Sequence, residues 1–89
     1  MLVEFRKTFK QDLRNLKDRK VRERIRSIIE EIESASNLIE LRNVKAIQGY
    51  DGFYRFRAGD YRVGIYVEKG VVAFVRVLHR KEIYRYLQY

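Results

Sequence analysis

The sequence contains no cysteine and no proline, and it has a single histidine among its 89 residues. Without cysteine, the protein can form neither a disulfide nor a thiolate metal site. One histidine and no cysteine also fall short of the ligand set of a structural zinc site. We therefore expect a protein with no metal site and no cofactor.

Long apolar runs are missing as well. No run approaches the roughly 20 residues of a membrane span, and the N-terminus lacks the long apolar region of a signal peptide. Low-complexity tracts, internal repeats and linkers are also absent. These features predict one domain over residues 1–89, a cytoplasmic location and no association with a membrane.

Basic residues are in excess, with 20 Lys and Arg against 12 Asp and Glu and a formal net charge of +8. Such an excess in a small domain favours a polyanionic partner: nucleic acid, an anionic membrane surface or an acidic protein. A basic surface that serves only solubility is the alternative. The arginines are clustered rather than scattered, which favours a partner.

The stretch Tyr54 to Val67 carries several of these arginines in a pattern typical of a β-hairpin. Apolar residues alternate with arginine, and Gly59-Asp60 interrupts the alternation as the centre of a type II′ turn does. This turn predicts that Arg57 faces Arg62, with Arg55 on the same side of the sheet. Like charges directly across a ladder are unfavourable, so this face is expected to bind an anion.

Helical periodicity fills the first half of the chain, after a short first strand at Leu2 to Phe5. A first helix is indicated by apolar residues at helical spacing, namely Phe9, Leu13 and Leu16. A second amphipathic helix of about four turns repeats apolar residues at Val21, Ile25, Ile28, Ile32 and Ala35. Asp18 is the expected N-cap of this helix. The short polar break between the two predicts a helical hairpin.

The remaining segments complete a sheet. We expect one more apolar turn at Leu38 to Leu41, a short strand at Val44 to Ile47, and a last strand at Val71 to Leu78. Ile83 and Leu87 suit a short C-terminal helix. The predicted fold class is α+β, with an N-terminal strand and the helical hairpin packed on one face of a mainly antiparallel sheet.

The register of the last strand follows from its turn. Glu68-Lys69-Gly70 resembles a three-residue hairpin loop with glycine at the left-handed position. If Val67 then pairs with Val71, Arg62 faces Arg76, and the arginines form a row across three strands. This register also places Tyr66, Val72 and Phe74 farther along the same face, which we expect to be open and basic.

Four motifs resemble those of the RelE/ParE superfamily of bacterial and archaeal toxins: Lys45-Ala-Ile-Gln-Gly49, Tyr54-Arg-Phe-Arg57, Gly59-Asp-Tyr-Arg-Val63 and His79-Arg-Lys-Glu-Ile-Tyr84. The similarity covers nearly the whole chain. It implies the toxin of a type II toxin–antitoxin system, and RelE-like members are ribosome-dependent endoribonucleases that cut mRNA in the A site. It further implies a cognate antitoxin, the ribosome and mRNA as partners. The toxin alone is expected to be monomeric, and with its antitoxin it is expected to form a higher-order complex.

The resemblance also implies which residues act. The family's functional positions correspond to Arg55, Arg57, Arg62, Arg80 and Tyr84 in this sequence. RelE itself has lysines where Arg55 and Arg57 stand. Because arginine cannot readily lose its proton, a lysine base is not available at those two positions.

Metal-free cleavage of RNA by its own 2′-hydroxyl needs a base, cations around the phosphorane and an acid. We expect Arg57 and Arg62 to hold the scissile phosphate, with Arg80 on the leaving-group side. Tyr84 is expected to stack on a base or to position the RNA backbone. His79 is the candidate acid or base, because histidine exchanges protons near neutral pH. Strand alternation turns His79 toward the core, however, so a structural role is an equal alternative.

Two further arginines, Arg55 and Arg76, are expected to bind the RNA backbone. For Arg76 there is an alternative, in which it pairs with an acidic side chain of the helices or the C-terminus. Two other functions fit the same sequence. One is a ParE-like inhibitor of DNA gyrase without nuclease activity, and the other is a non-catalytic nucleic-acid-binding module.

Overall fold

Strands, helices and turns account for most of residues 1–83, which the computed structural model describes. The elements are β1 (Leu2–Phe5), α1 (Lys7–Asn15), α2 (Arg19–Ser34), a 3₁₀ turn (Leu38–Glu40), β2 (Val44–Ala46), β3 (Phe53–Ala58), β4 (Tyr61–Glu68) and β5 (Val71–His79). The predicted order of elements and the α+β class are confirmed. The predicted C-terminal helix falls almost entirely outside the described residues. Within residues 1–83 no helix is long and apolar enough to cross a membrane.

The two helices begin and end where their capping groups allow. The Asp18 side chain accepts a hydrogen bond from the Val21 amide at 3.2 Å, which confirms it as the N-cap of α2. Arg22, one turn into α2, donates to the carbonyls of Leu13 and Leu16. The carbonyls at the end of α1 are therefore capped by a side chain from α2, which stabilises the short connection between the helices.

The sheet has the strand order β1-β5-β4-β3-β2. β1 runs parallel to β5, and the other three pairings are antiparallel. A parallel pair needs a long crossover, and in this chain α1 and α2 begin it. The first strand thus lies at one edge of the sheet, directly beside the strand that ends at His79.

The main core lies between the helices and one face of the sheet. Its largest fully buried side chains are Phe9, Ile25, Ile28, Ile32, Phe56, Val63, Ile65, Val72 and Phe74. The prediction that both helices cover one sheet face is confirmed. Val72 and Phe74 belong to this core, so their predicted place on the arginine face is wrong.

Their placement follows from the turn before β5. Val67 pairs with Val72 rather than with Val71, and the loop contains only Lys69 and Gly70. Both residues have positive φ angles, 52° and 78°, as a type I′ turn requires. The predicted three-residue loop is therefore wrong, because Lys69 adopts a left-handed conformation that a lysine rarely takes.

A second apolar cluster covers part of the arginine face. It consists of Ile47, Leu78 and Ile83, with Tyr50, Phe53 and Val75 packed against them. The loop between β2 and β3 is closed by a hydrogen bond from the Ile47 amide to the Phe53 carbonyl at 2.9 Å. The face that we expected to be open is thus partly covered, and the exposed basic surface is smaller than predicted.

Candidate active site

The turn between β3 and β4 gathers three of the predicted arginines. Arg57 and Arg62 are direct partners across the ladder, as predicted from the turn. Gly59 has a φ of 62°, and a residue with positive φ at the first central position is what a type II′ turn needs. The Arg80 amide donates to the Asp60 carbonyl at 2.8 Å, so the end of β5 is tied to the same turn. We call Arg57, Arg62 and Arg80 the arginine site.

Within this site the side chain of Arg62 is held by the backbone. Its Nη1 donates to the carbonyl oxygens of Gly59 and Tyr61, both at 2.9 Å. Arg62 is half-buried, whereas Arg57 and Arg80 are exposed. A guanidinium that is oriented by two carbonyls loses less conformational freedom when it binds an anion. Arg62 is therefore the best pre-organised of the three.

The basic surface extends along β3 toward the edge of the sheet. Arg55 is half-buried. In the strand register it lies opposite Gly64 of β4 on one side and opposite Lys45 of β2 on the other. Because Gly64 has no side chain, β4 leaves space beside Arg55. Lys45 is exposed and was not among the predicted site residues. Its signal in the sequence was the short alternating strand around it, and that strand is confirmed.

Arg76 does not face Arg62, and that predicted pairing is wrong. A β-bulge between Gly64 and Ile65 places Arg76 opposite Gly64. The guanidinium of Arg76 instead forms a two-pronged salt bridge with Asp12 of α1, with Nε to Oδ2 at 2.7 Å and Nη2 to Oδ1 at 3.0 Å. The alternative prediction, an acidic partner on the helices, is the one that the structure bears out.

His79 lies at the end of β5, opposite Tyr61. Its ring packs edge-on against the Tyr61 ring, with centroids 5.7 Å apart, and its Nδ1 accepts from the Lys81 amide at 3.3 Å. Both rings lie on the helix-facing side of the sheet, away from the face of Arg57 and Arg62, as strand alternation predicted. The other predicted residue of this region, Tyr84, lies outside the described residues.

The sequence and the fold of the chain match those of known proteins. A family model described as the ParE toxin of the type II toxin-antitoxin system parDE matches residues 3–84. The chain belongs to the RelE/ParE superfamily of type II toxins.

Relatives of this toxin include archaeal RelE proteins. Toxin RelE3 of Methanocaldococcus jannaschii is 46% identical over 87 residues, which cover 97% of this chain and 98% of the relative. In the crystal structure of the RelB-RelE antitoxin-toxin complex from Methanococcus jannaschii, one chain is 43% identical, with a TM-score of 0.80 over 97% of this toxin and 98% of that chain. The archaeal RelE-RelB complex from Pyrococcus horikoshii OT3 has a TM-score of 0.70 at 24% identity over 89% of this toxin and 93% of that chain. This last likeness supports the fold alone.

The toxin therefore presents Arg62, which the backbone holds in place, at the turn where the exposed Arg57 and Arg80 also lie, beside a basic strip formed by Arg55 and Lys45. Guanidinium groups bind two oxygens of a phosphate at once, so such a cluster can stabilise a phosphate that gains negative charge. No group in this cluster is an ordinary proton acceptor, since arginine effectively stays protonated.

Proposed function

We propose that this toxin is an endoribonuclease that cuts mRNA in the ribosomal A site and thereby inhibits translation. The observation that carries the proposal is the convergence of Arg57, Arg62 and Arg80 on one turn, at positions that correspond to functional residues of RelE-like toxins. The relative with 46% identity bears the name RelE, which supports this branch of the superfamily.

The proposed reaction needs no metal ion. The 2′-hydroxyl of one nucleotide attacks the adjacent phosphorus, the bond to the 5′-oxygen of the next nucleotide breaks, and a cyclic phosphate and a 5′-hydroxyl result. Arg57 and Arg62 hold the non-bridging oxygens, on which negative charge grows in the phosphorane. Arg80 lies on the leaving-group side. Arg55 and Lys45 bind flanking phosphates, which should make binding weaken with salt.

Proton transfer is the part that the arginines cannot perform. His79 is turned toward Tyr61 and accepts from the Lys81 amide, which favours a structural role. The role expected of Tyr84, which is to stack on a base or to position the RNA backbone, stays a prediction. Because none of the three arginines of the site is an ordinary base, we expect cleavage to depend strongly on the ribosome. Efficient cleavage of purified mRNA without ribosomes would contradict this expectation.

We also propose that a cognate antitoxin neutralises the toxin. The net charge of +8 suits an acidic or amphipathic partner, and the related RelE from Methanococcus jannaschii was crystallised in a complex with RelB. The partner is expected to be encoded beside the toxin as a small protein with a DNA-binding N-terminus and a helical tail.

Brief expression in cells tests the proposed reaction. The ends of mRNA are mapped during translation for the wild type, for Arg62→Ala, and for Arg42→Ala, which removes an exposed arginine outside the site. We expect cuts between codon positions that disappear in Arg62→Ala and persist in Arg42→Ala. Cuts that persist in Arg62→Ala at equal protein levels would refute the assignment of that residue.

A second candidate function is inhibition of DNA gyrase, because the matching family model carries the ParE name. In that case mRNA would stay intact while cells accumulated DNA damage. A supercoiling assay with purified gyrase separates the two functions directly, since the proposed endoribonuclease should leave gyrase activity unchanged.

A further inference from the structure

We infer that Asp12 is a positioning residue, which acts from α1 to place Arg80 beside Arg62; this inference rests on the proposed function of the arginine site. The carboxylate of Asp12 serves three donors. It accepts hydrogen bonds from Nε and Nη2 of Arg76 at 2.7 and 3.0 Å, and it accepts another from the Val77 amide at 2.9 Å. The side chains of Asp12 and Arg76 are only 15% and 22% exposed, so water screens their pairing weakly.

The contacts of Asp12 lie next to a β-bulge in β5. Ile65 pairs with Phe74 and Gly64 pairs with Arg76, so Val75 is the extra residue of β5. At a bulge the extra residue has no partner on the facing strand, and the ladder is locally disrupted. The backbone groups at the other edge of β5 need partners as well, because an unpaired buried backbone group costs free energy.

α1 supplies those partners. β1 pairs with β5 only as far as Phe74, and in the described part of the chain no strand covers the outer edge beyond that point. There the Thr8 hydroxyl donates to the Val75 carbonyl at 2.7 Å, and Asp12 accepts from the Val77 amide. Thr8 and Asp12 are four residues apart, so they lie on one face of α1. Thr8 and Asp12 therefore bind the backbone of β5 on both sides of Arg76, at the edge that β1 leaves uncovered.

The bulge decides where the end of β5 lies. With it, His79 pairs with Tyr61, and the Arg80 amide reaches the Asp60 carbonyl. Without the extra residue, the register of the first half of β5 would place Leu78 opposite Tyr61. Arg80 would then move along the strand by about 3.3 Å, and its side chain would exchange faces. Because displacements of about 1 Å in a reacting group can lower a rate about 100-fold, the bulge is critical for a site that uses Arg80.

The test uses Asp12→Asn, which keeps the size of the side chain but cannot offer two carboxylate oxygens to three donors. We expect single-turnover cleavage of ribosome-bound mRNA to fall about 10- to 100-fold, while the half-saturating ribosome concentration changes by less than about twofold. Thr8→Val, which removes only the hydroxyl, should lower the single-turnover cleavage rate by less than Asp12→Asn does. It should also leave the half-saturating ribosome concentration within about twofold of the wild-type value. Ile28→Val weakens the main core and leaves the hydrogen bonds of Asp12 and Thr8 in place, so it is the matched control. It should keep the wild-type rate well below its melting temperature.

Hydrogen exchange of the Arg80 amide, followed by NMR, gives a readout that does not need activity. In Asp12→Asn this amide should exchange at least about 10-fold faster than in the wild type and in Ile28→Val, because its bond to Asp60 is lost. An Asp12→Asn protein with wild-type cleavage and wild-type protection of Arg80 would overturn the inference and leave the proposed function standing. If the wild type itself cleaves no mRNA, the proposed function fails, and the exchange of Arg80 still decides whether Asp12 positions it.

Discussion

Replacement of Arg57 by glutamine is expected to make the free toxin more stable while it weakens the proposed cleavage. Arg57 is exposed and stands directly opposite Arg62, whose guanidinium is held at the turn by the Gly59 and Tyr61 carbonyls. Two like charges directly opposite each other on a ladder destabilise the folded state. Glutamine keeps most of the aliphatic stem of arginine and removes the charge.

The size of the effect follows from the position of the pair. Like-charged partners directly opposite on a ladder cost roughly 0.2–1 kcal/mol. In a domain of this length, about 1 kcal/mol corresponds to about 4–8 °C in melting temperature, so Arg57→Gln should melt about 1–8 °C higher. The pair is partly in contact with solvent, so the gain should decrease strongly in about 1 M salt, where the Debye length is only about 3 Å.

Thermal unfolding followed by circular dichroism at low and high salt measures this gain. Arg42→Gln is the matched control, because it removes one exposed arginine outside the site and changes the net charge equally. An Arg57→Gln protein that melts lower than the wild type, or that gains as much at high salt as at low salt, would refute the reasoning. Cleavage in translating extracts should fall for Arg57→Gln and not for Arg42→Gln.

Three further predictions concern stability and titration. Gly52→Ala should destabilise the toxin by about 1–3 kcal/mol in urea unfolding, because Gly52 has a φ of 83° and a Cβ there would lie 2.7 Å from Cε1 of Tyr66. Arg19→Glu should stabilise α2 by about 0.3–1 kcal/mol in the same assay, because its first turn has no acidic residue; a loss of stability would contradict this. The hydrogen bond and negative charge of Glu68 raise the pKa of Tyr66. This contact therefore contributes stability below the pKa of an unfolded tyrosine, and the contribution is lost as pH rises through the folded value. NMR titration of labelled tyrosines should show the Tyr66 pKa moving down in Glu68→Gln, and an unchanged value would exclude Glu68 as the cause.

The hairpin at the centre of the site was predictable because its information is local. Gly59-Asp60 and the alternation around it determine both turn type and pairing, and all of these features are confirmed. The prediction of the turn before β5 was wrong because of a single residue. Lys69 takes a positive φ of 52°, for which a lysine gives no signal, and the error displaced the register by one residue.

The bulge was unpredictable for a different reason. Its partners, Thr8 and Asp12, lie more than 60 residues earlier in the chain, so no window around Val75 contains the information that creates it. The same holds for the second apolar cluster, in which Ile47 meets Leu78 and Ile83. Local chemistry therefore placed Arg57 opposite Arg62, whereas long-range contacts determined where Arg76 and Arg80 lie.

The position of β5 has a consequence for the time at which a toxin molecule becomes complete. β5 lies between β1 and β4 and is also held by α1, so it joins segments that are synthesised long before it. Until residues 71–80 have left the ribosome, β1 has no partner strand and the Arg80 amide cannot reach Asp60. Contacts between distant segments form late in folding. When Arg57 and Arg62 of a nascent chain leave the ribosome, the arginine site is therefore not yet assembled.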